Sequence, residues 1–312
     1  MTWIEVHTSS EQGQSGRDPD GESRPAALRG AAWYCEKLEQ NEILFFPQPP
    51  FPLAPDDLEF LRNLRQTSSA IHKNISYRPA TGVLQGFQGS AESRERMQAI
   101  LSSFSAGVGA FISKLLAPYA PSIVFDFASF RPLEEEGRDL PLHKRNDLLH
   151  VDAFPSRPTH GGRILRVFVN VHASKSRVWL TTDPFPALAA KLAADAGLPK
   201  YAPHGMAAMA SRCAQPLLRL VGKPARSPYD RFMLHFHDYL KENSRFQAEC
   251  PKTRLEFPAL SAWIVFTDGV PHAVLSGQHA LEQTFIIPRE ALVAPQSSPI
   301  GVLENLCGRP LA

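Results

Sequence analysis

Three residues of this chain have the types and the spacing to hold a metal ion. His150 and Asp152 lie two apart in Leu148-Leu149-His150-Val151-Asp152-Ala153-Phe154, and His272 follows far downstream in Phe266-Thr267-Asp268-Gly269-Val270-Pro271-His272. In extended backbone, side chains at i and i+2 leave on the same face. His150 and Asp152 can therefore close on one ion if a distant strand brings His272 beside them. Two imidazoles and one carboxylate fill about three of six octahedral positions, the donor set that suits a non-heme Fe(II) ion with positions left for reactants. A lone His-x-Asp is a common coincidence, and a strand histidine satisfied by hydrogen bonds would explain His150 alone. Asp152, between Val151 and Ala153, is harder to dismiss, because a carboxylate on an inward face is costly unless paired or metal-bound.

Other polar clusters compete less well. His235, His237 and Asp238 fall in a predicted helix, where residues two apart diverge and cannot chelate one ion. His143, His160, His172, His204 and His279 are single histidines in loops or strand ends, read mostly as ordinary surface or supporting groups, with a place near the cavity open to His160 and His172. The arginines are the second signal, because an Fe(II) site of this kind works with an acidic cosubstrate, and a guanidinium fork grips a carboxylate through two parallel hydrogen bonds. Along 163–170, Arg166 shares a face with Ile164, Phe168 and Asn170, which places it inside with an anionic partner. The plainer alternative is an edge-strand arginine reaching water. Arg289 is a second candidate for the cosubstrate. Arg131 ends one strand and Arg177 begins another, so both are expected at the mouth of the cavity, on a substrate or cosubstrate carboxylate. Lys73, Asn74, Ser76, Tyr77 and Arg78, within 72–79, form a polar loop expected to close over that mouth, with an ordinary solvated loop as the alternative.

These residues need a strand-rich frame to meet. The 312 residues carry 43% hydrophobic and 21% charged residues and a net charge of +2, which fits a globular chain with no bulk attraction for nucleic acid. The 28 prolines favour a loop-rich β architecture over a helical bundle. Four scattered cysteines (Cys35, Cys213, Cys250, Cys307) make no metal knuckle and suit a reducing compartment. No signal peptide is visible, and no apolar run approaches the roughly 18 residues of a membrane span, so a cytoplasmic protein is expected.

Residues 1–30 are read as a flexible leader, poor in large apolar groups beyond residue 8. Helices are predicted over 55–64 and 92–116, strands over 42–46, 123–131, 150–154, 163–171 and 177–181, and a mainly helical insertion over 183–258 with helices at 186–196, 206–221 and 229–242. Strands resume at 262–266 and 283–287, with His272 opening a strand between them, and an irregular tail is expected over 296–312. This order predicts one α+β domain over 31–295: helical support over 31–120, and jelly-roll strands over 121–182 and 259–295 around the insertion.

The stretches His150-Val151-Asp152-Ala153-Phe154-Pro155, Arg163-Ile164-Leu165-Arg166-Val167-Phe168-Val169-Asn170 and Ala262 to His272 resemble the Fe(II)/2-oxoglutarate dioxygenases. Within them, 72–79 and 146–152 are most similar to the bacterial 3-deoxy-D-manno-oct-2-ulosonic acid (Kdo) 3-hydroxylases, with the similarity running from residue 31 to residue 294. The resemblance implies a double-stranded β-helix, Fe(II) held by His150, Asp152 and His272, and 2-oxoglutarate and O2 as cosubstrates. It also implies hydroxylation at C3 of Kdo on a lipid A precursor, giving Ko for the lipopolysaccharide inner core. Such a glycolipid partner would be met by peripheral contact with the cytoplasmic face of the inner membrane. One departure stands out: many members carry an Arg or Lys a short way past the distal histidine, where this chain has Glu282, Gln283 and Thr284. The cosubstrate clamp is therefore expected from Arg166, then Arg289, leaving Arg131 and Arg177 to serve either carboxylate. Other readings are a 2-oxoglutarate oxygenase of another small molecule, peptide or lipid, and a metal-binding jelly roll without turnover. A zinc hydrolase lacks support, for there is no His-Glu-x-x-His.

Overall fold

Alternating neighbours along residues 163–170 set the layers of the fold. In the computed structural model, which describes residues 3–7, 29–65, 74–202 and 226–312, this segment is strand β6 (Arg163–Asn170). It lies in an eight-stranded sheet ordered β1 (Trp3–Glu5), β2 (Ile43–Phe46), β9 (Ala262–Phe266), β6, β11 (Ala280–Ile287), β5 (Val124–Arg131), β3 (Ile75–Arg78) and β4 (Val83–Gln85). A second sheet of three strands is ordered β10 (His272–Ser276), β7 (Arg177–Thr181) and β8 (Thr253–Phe257). β1 runs parallel to β2, and the other described pairings are antiparallel.

One face of the large sheet, with Leu165, Val167, Val169, Ile264, Phe266 and Phe285, packs on helices α1 (Ala31–Glu39), α2 (Pro55–Asn63) and α3 (Ala91–Leu115). Met97, Leu101, Phe104, Val108 and Ile112 recur at helical spacing along α3 and are all buried, so that helix lies flat on the sheet. The opposite face turns Phe168, Trp263 and Val265 toward Trp179, Leu255, Phe257 and Val274 of the small sheet. The Trp263 and Phe257 rings stack with centroids 3.9 Å apart. Burying each such side chain contributes roughly 1.5–3 kcal/mol, so the contact between the sheets is a firm base for whatever lies at its end.

A third core gathers α4 (Phe185–Leu192), α5 (Leu198–Tyr201), α6 (Pro228–Glu242), α7 (Ser244–Glu249) and α8 (Pro299–Cys307) around Leu149, Val151 and Ala273, the neighbours of the triad residues. α6 begins on a capping box: the Ser227 hydroxyl accepts from the Asp230 N–H, and the Asp230 carboxylate accepts from the Ser227 N–H. Asp230 Oδ1 also accepts the Thr159 and His160 N–H groups, which ties α6 to the turn entering β6.

Several expectations need correction. Residues 150–154 form no strand; His150 makes a single bridge to His272. Residues 75–78, expected in a mobile loop, are strand β3, because Ile75 and Tyr77 alternate with Ser76 and Arg78 and enter the helix-side core. Within the expected helical insertion, Leu255 and Phe257 are buried between exposed Arg254 and Glu256, the period of a strand, and β8 pairs with β7. Inside the expected leader, Trp3 stacks on Phe45 at 4.6 Å, holding β1 against β2. The tail is not irregular throughout: Ser298 caps α8 through the Gly301 N–H, and Ile300 and Leu303 are buried. The predicted helix 206–221, with His204, Cys213 and Lys73, lies outside the described residues.

Candidate active site

Backbone pairing, rather than a continuous strand, assembles the triad. The His150 and His272 N–H groups each donate to the other's carbonyl, at 3.1 and 2.9 Å, and the Asp152 N–H donates to the Thr267 carbonyl at 2.9 Å. The turn that delivers His272 is fixed from below: Arg163 Nε donates to Asp268 at 2.9 Å, and its guanidinium also reaches Asn41 Oδ1 at 3.2 Å. A side chain at Gly269 would collide with both Asn41 and Arg163, so the turn requires glycine there.

Each imidazole is oriented through its Nδ1, His150 toward the Leu148 carbonyl at 2.7 Å and His272 toward the Val270 carbonyl at 2.9 Å. A carbonyl can only accept, so both Nδ1 atoms carry the proton and both Nε2 lone pairs are left for a ligand. Those Nε2 atoms lie 3.7 and 4.0 Å from Asp152 Oδ1. One donor atom from each of the three residues lies within 4.8 Å of the others. Two neutral nitrogens and one anionic oxygen at these separations fit one first-row divalent ion, and nothing else among the described residues forms such a group. Trp179 stacks on His272 at 5.0 Å. His237, from α6, packs against His150 at 4.9 Å, with its own Nδ1 on the Val151 carbonyl. The rival His235–Asp238 stretch lies on helix α6, and His237 supports the triad instead of competing with it.

Protonation suits metal binding. Burial, reinforced by His272, Lys241 and His237, lowers the His150 pKa well below its ordinary value. Burial also lowers His272, against the pull of Asp152. Burial raises the Asp152 carboxyl, but Arg166, His272 and His150 outweigh it and hold it well below the usual carboxylate range. Near neutral pH the site presents two neutral imidazoles and a carboxylate.

A largely buried chain of alternating charges extends from this carboxylate. Arg166 places NH2 3.2 Å from Asp152 Oδ2 and NH1 2.8 Å from Glu282 Oε1. Arg131 donates from Nε and NH2 to Glu282 Oε2, at 2.9 and 2.6 Å, and lies 3.6 Å from Glu135. Glu135 in turn faces Arg177 at 3.4 Å and Arg138 at 3.2 Å. In sequence Glu282 stands only where a cation is expected; in the structure it is the acid around which two arginines are arranged. Its register carried the signal: on β11, Glu282 and Thr284 share a face, and Thr284 sits directly opposite Arg166.

The remaining candidates separate. Arg177 is buried rather than at an open mouth: it donates to the Gly277 carbonyl at 2.9 Å, and burial with the Arg131 charge lowers it to about 10. Tyr77 belongs to the helix-side core, with its hydroxyl on Ser102. Asn74 precedes β3, and Arg78 closes it, exposed. Arg289 pairs with Glu304 of α8 at 2.7 Å and is not drawn into the charge chain. Arg289→Ala is accordingly expected to change the KM for 2-oxoglutarate by less than about twofold, read from initial rates across cosubstrate concentration. A large rise would return Arg289 to the site.

The comparisons with known proteins agree with this geometry. A family model described as 3-deoxy-D-manno-oct-2-ulosonic acid (Kdo) hydroxylase matches residues 23–310. Among solved structures, the apo form of the Kdo hydroxylase KdoO, a non-heme Fe(II) α-ketoglutarate-dependent dioxygenase, is 38% identical with a TM-score of 0.77, covering 90% of this chain and 91% of that one. Its complex with α-ketoglutarate and Fe(III) is 35% identical with a TM-score of 0.80, covering 100% of this chain and 98% of that one. A cobalt(II) complex is 38% identical with a TM-score of 0.77, covering 90% of this chain and 91% of that one. No curated protein matches the chain.

Proposed function

Because the chain belongs to the Kdo hydroxylase family, we propose that it hydroxylates C3 of a Kdo sugar carried on a lipid A precursor, giving Ko. It is an Fe(II)/2-oxoglutarate-dependent hydroxylase of Kdo, and the observation that carries this is the triad, with both Nε2 atoms and one carboxylate oxygen turned to a common point. The two facing sheets are read as a double-stranded β-helix. Iron would be held by His150, Asp152 and His272, and when bound it supplies the activation of O2 coupled to oxidative decarboxylation of 2-oxoglutarate. The atoms balance: one oxygen enters the sugar C–H bond, the other enters succinate, and CO2 leaves.

The protein's own side chains do the positioning. Arg166 holds Asp152 Oδ2, which leaves Oδ1 turned toward the imidazoles. Its buried Nε has no hydrogen-bond partner among the described residues, which leaves it a donor for a cosubstrate carboxylate, and Arg131 stands beside it on the shared Glu282. The sheet-to-sheet aromatic layer, with Trp179 on His272, keeps bulk water from one side of the site. Among the described residues no helix is long and apolar enough to cross a membrane. The test is product analysis after turnover of a Kdo-bearing lipid A acceptor with Fe(II), 2-oxoglutarate and air. The expected product carries a new hydroxyl at C3; a hydroxyl on another atom, or succinate with an untouched acceptor, would overturn the assignment.

A further inference from the structure

Two further arginines, Arg78 and Arg157, lie outside the Glu282 chain and are linked to its Arg166 through aromatic rings. The Arg78 guanidinium lies over the Phe127 ring at 4.7 Å. Arg157 lies over the same ring at 4.5 Å and over Phe154 at 4.3 Å. Arg166 lies over Phe154 at 5.6 Å and touches Asp152. Three guanidiniums and two phenyl rings thus alternate from exposed Arg78 inward to a metal ligand. Arg157 and Asp152 also line one cavity of about 10 Å³, room for a single water.

The acids do not match these cations. Asp126 meets Arg157 at 3.0 Å, whereas Arg78 has no carboxylate at ion-pair distance among the described residues. Burial and the Arg166 and Arg78 charges pull the Arg157 guanidinium below its ordinary value, more than Asp126 restores it. Arg157 Nε is buried and has no hydrogen-bond partner among the described residues. Arg157 lies against two rings and its side chain stays about 34% exposed, so beside its Asp126 contact the guanidinium still has N–H groups to offer a carboxylate.

We infer that Arg157, assisted by Arg78, is the subsite for the carboxylate of the sugar being oxidised. This rests on the reading of Kdo as substrate. In an ulosonic acid the carboxylate carbon is two bonds from C3, so an anion gripped beside the metal ligands holds the reacting carbon beside them too. A phosphate of the lipid lies farther along the molecule and would not bring C3 to the metal from this position.

The test compares the enzyme with Arg157→Gln and Arg78→Gln on three Kdo-bearing lipid A acceptors: native, methyl-esterified at the Kdo carboxylate, and dephosphorylated. Arg157→Gln is expected to raise the acceptor KM by about 10- to 100-fold, with a smaller rise for Arg78→Gln, while the 2-oxoglutarate KM stays within about twofold. Esterification is expected to penalise the unmodified enzyme by a similar factor and to add little to the Arg157→Gln defect, because both remove one contact. Dephosphorylation is expected to leave the ratio between enzyme and variant unchanged. Additive penalties from ester and variant, or a ratio that collapses on dephosphorylation, would overturn the inference, as would a 2-oxoglutarate KM that rises in place of the acceptor KM. Arg78 is exposed, so its variant reads binding even if Arg157→Gln folds poorly. If the unmodified enzyme oxidises no Kdo acceptor while consuming 2-oxoglutarate, the reading of the substrate fails first, and that outcome is seen without any variant.

Discussion

Asp152→Ala is expected to lower hydroxylation by about a thousandfold or more while the chain still folds. The variant keeps both imidazoles, but they lose the one anionic donor among the three and the charge that favours a divalent cation. Folding survives because Arg166, the partly buried partner of Asp152, retains Glu282 at 2.8 Å and is not left alone. The backbone bond from Asp152 to Thr267 does not need the side chain. Bound iron after anaerobic loading and the rate of sugar oxidation are the two readouts, with thermal melting as the control for folding. A variant that binds iron and turns over near the normal rate would remove Asp152 from the metal site.

Glu282→Ala is expected to destabilise the protein by about 2–3 kcal/mol, less than for a charge left wholly unpaired, because it removes the shared counter-charge between the largely buried Arg131 and Arg166 and leaves them only Glu135 and Asp152. The pH dependence of stability carries the same signature. Burial raises the Glu282 carboxyl, but Arg166 and Arg131 outweigh it and hold it below its ordinary 4.5. A group depressed in the folded state contributes stability that is complete above its unfolded value and is lost as pH falls through its folded value. Stability of the unmodified protein is therefore expected to decline below about pH 4.5, and the variant, already without this contribution, to show a flatter acid limb in denaturant titrations. Equal slopes for the two proteins would mean that the Glu282 pairing does not stabilise the fold.

The metal ligands were legible in the sequence because their signal is local: an extended His-x-Asp flanked by apolar residues, and a histidine after a turn. The strands 177–181 and 262–266 were legible for a similar reason, a β-branched and aromatic run with clear ends. What escaped depends on partners remote in sequence. Ile75-Ser76-Tyr77-Arg78 is polar enough to read as a loop until β5 and α3 bury Ile75 and Tyr77. Trp3–Glu5 is too short to hold a strand without the Phe45 ring beneath it. The sequence puts Arg166 ahead of Arg289 for the cosubstrate and leaves Arg131 and Arg177 to either carboxylate, but nothing in a neighbouring residue says which acid each will meet. Their acids come from elsewhere in the chain: Glu282 for the first two, Glu135 for Arg177 and Glu304 for Arg289.

The most direct test of the account is the fate of O2. The protein, loaded anaerobically with Fe(II) and 2-oxoglutarate and a Kdo-bearing lipid A acceptor, would be exposed to O2 labelled with heavy oxygen and analysed by mass spectrometry. The triad and the family predict one labelled oxygen in the sugar and one in succinate, in equal amounts, with both lost in Asp152→Ala. An oxidised sugar without label, or labelled succinate with no change in the acceptor, would contradict it.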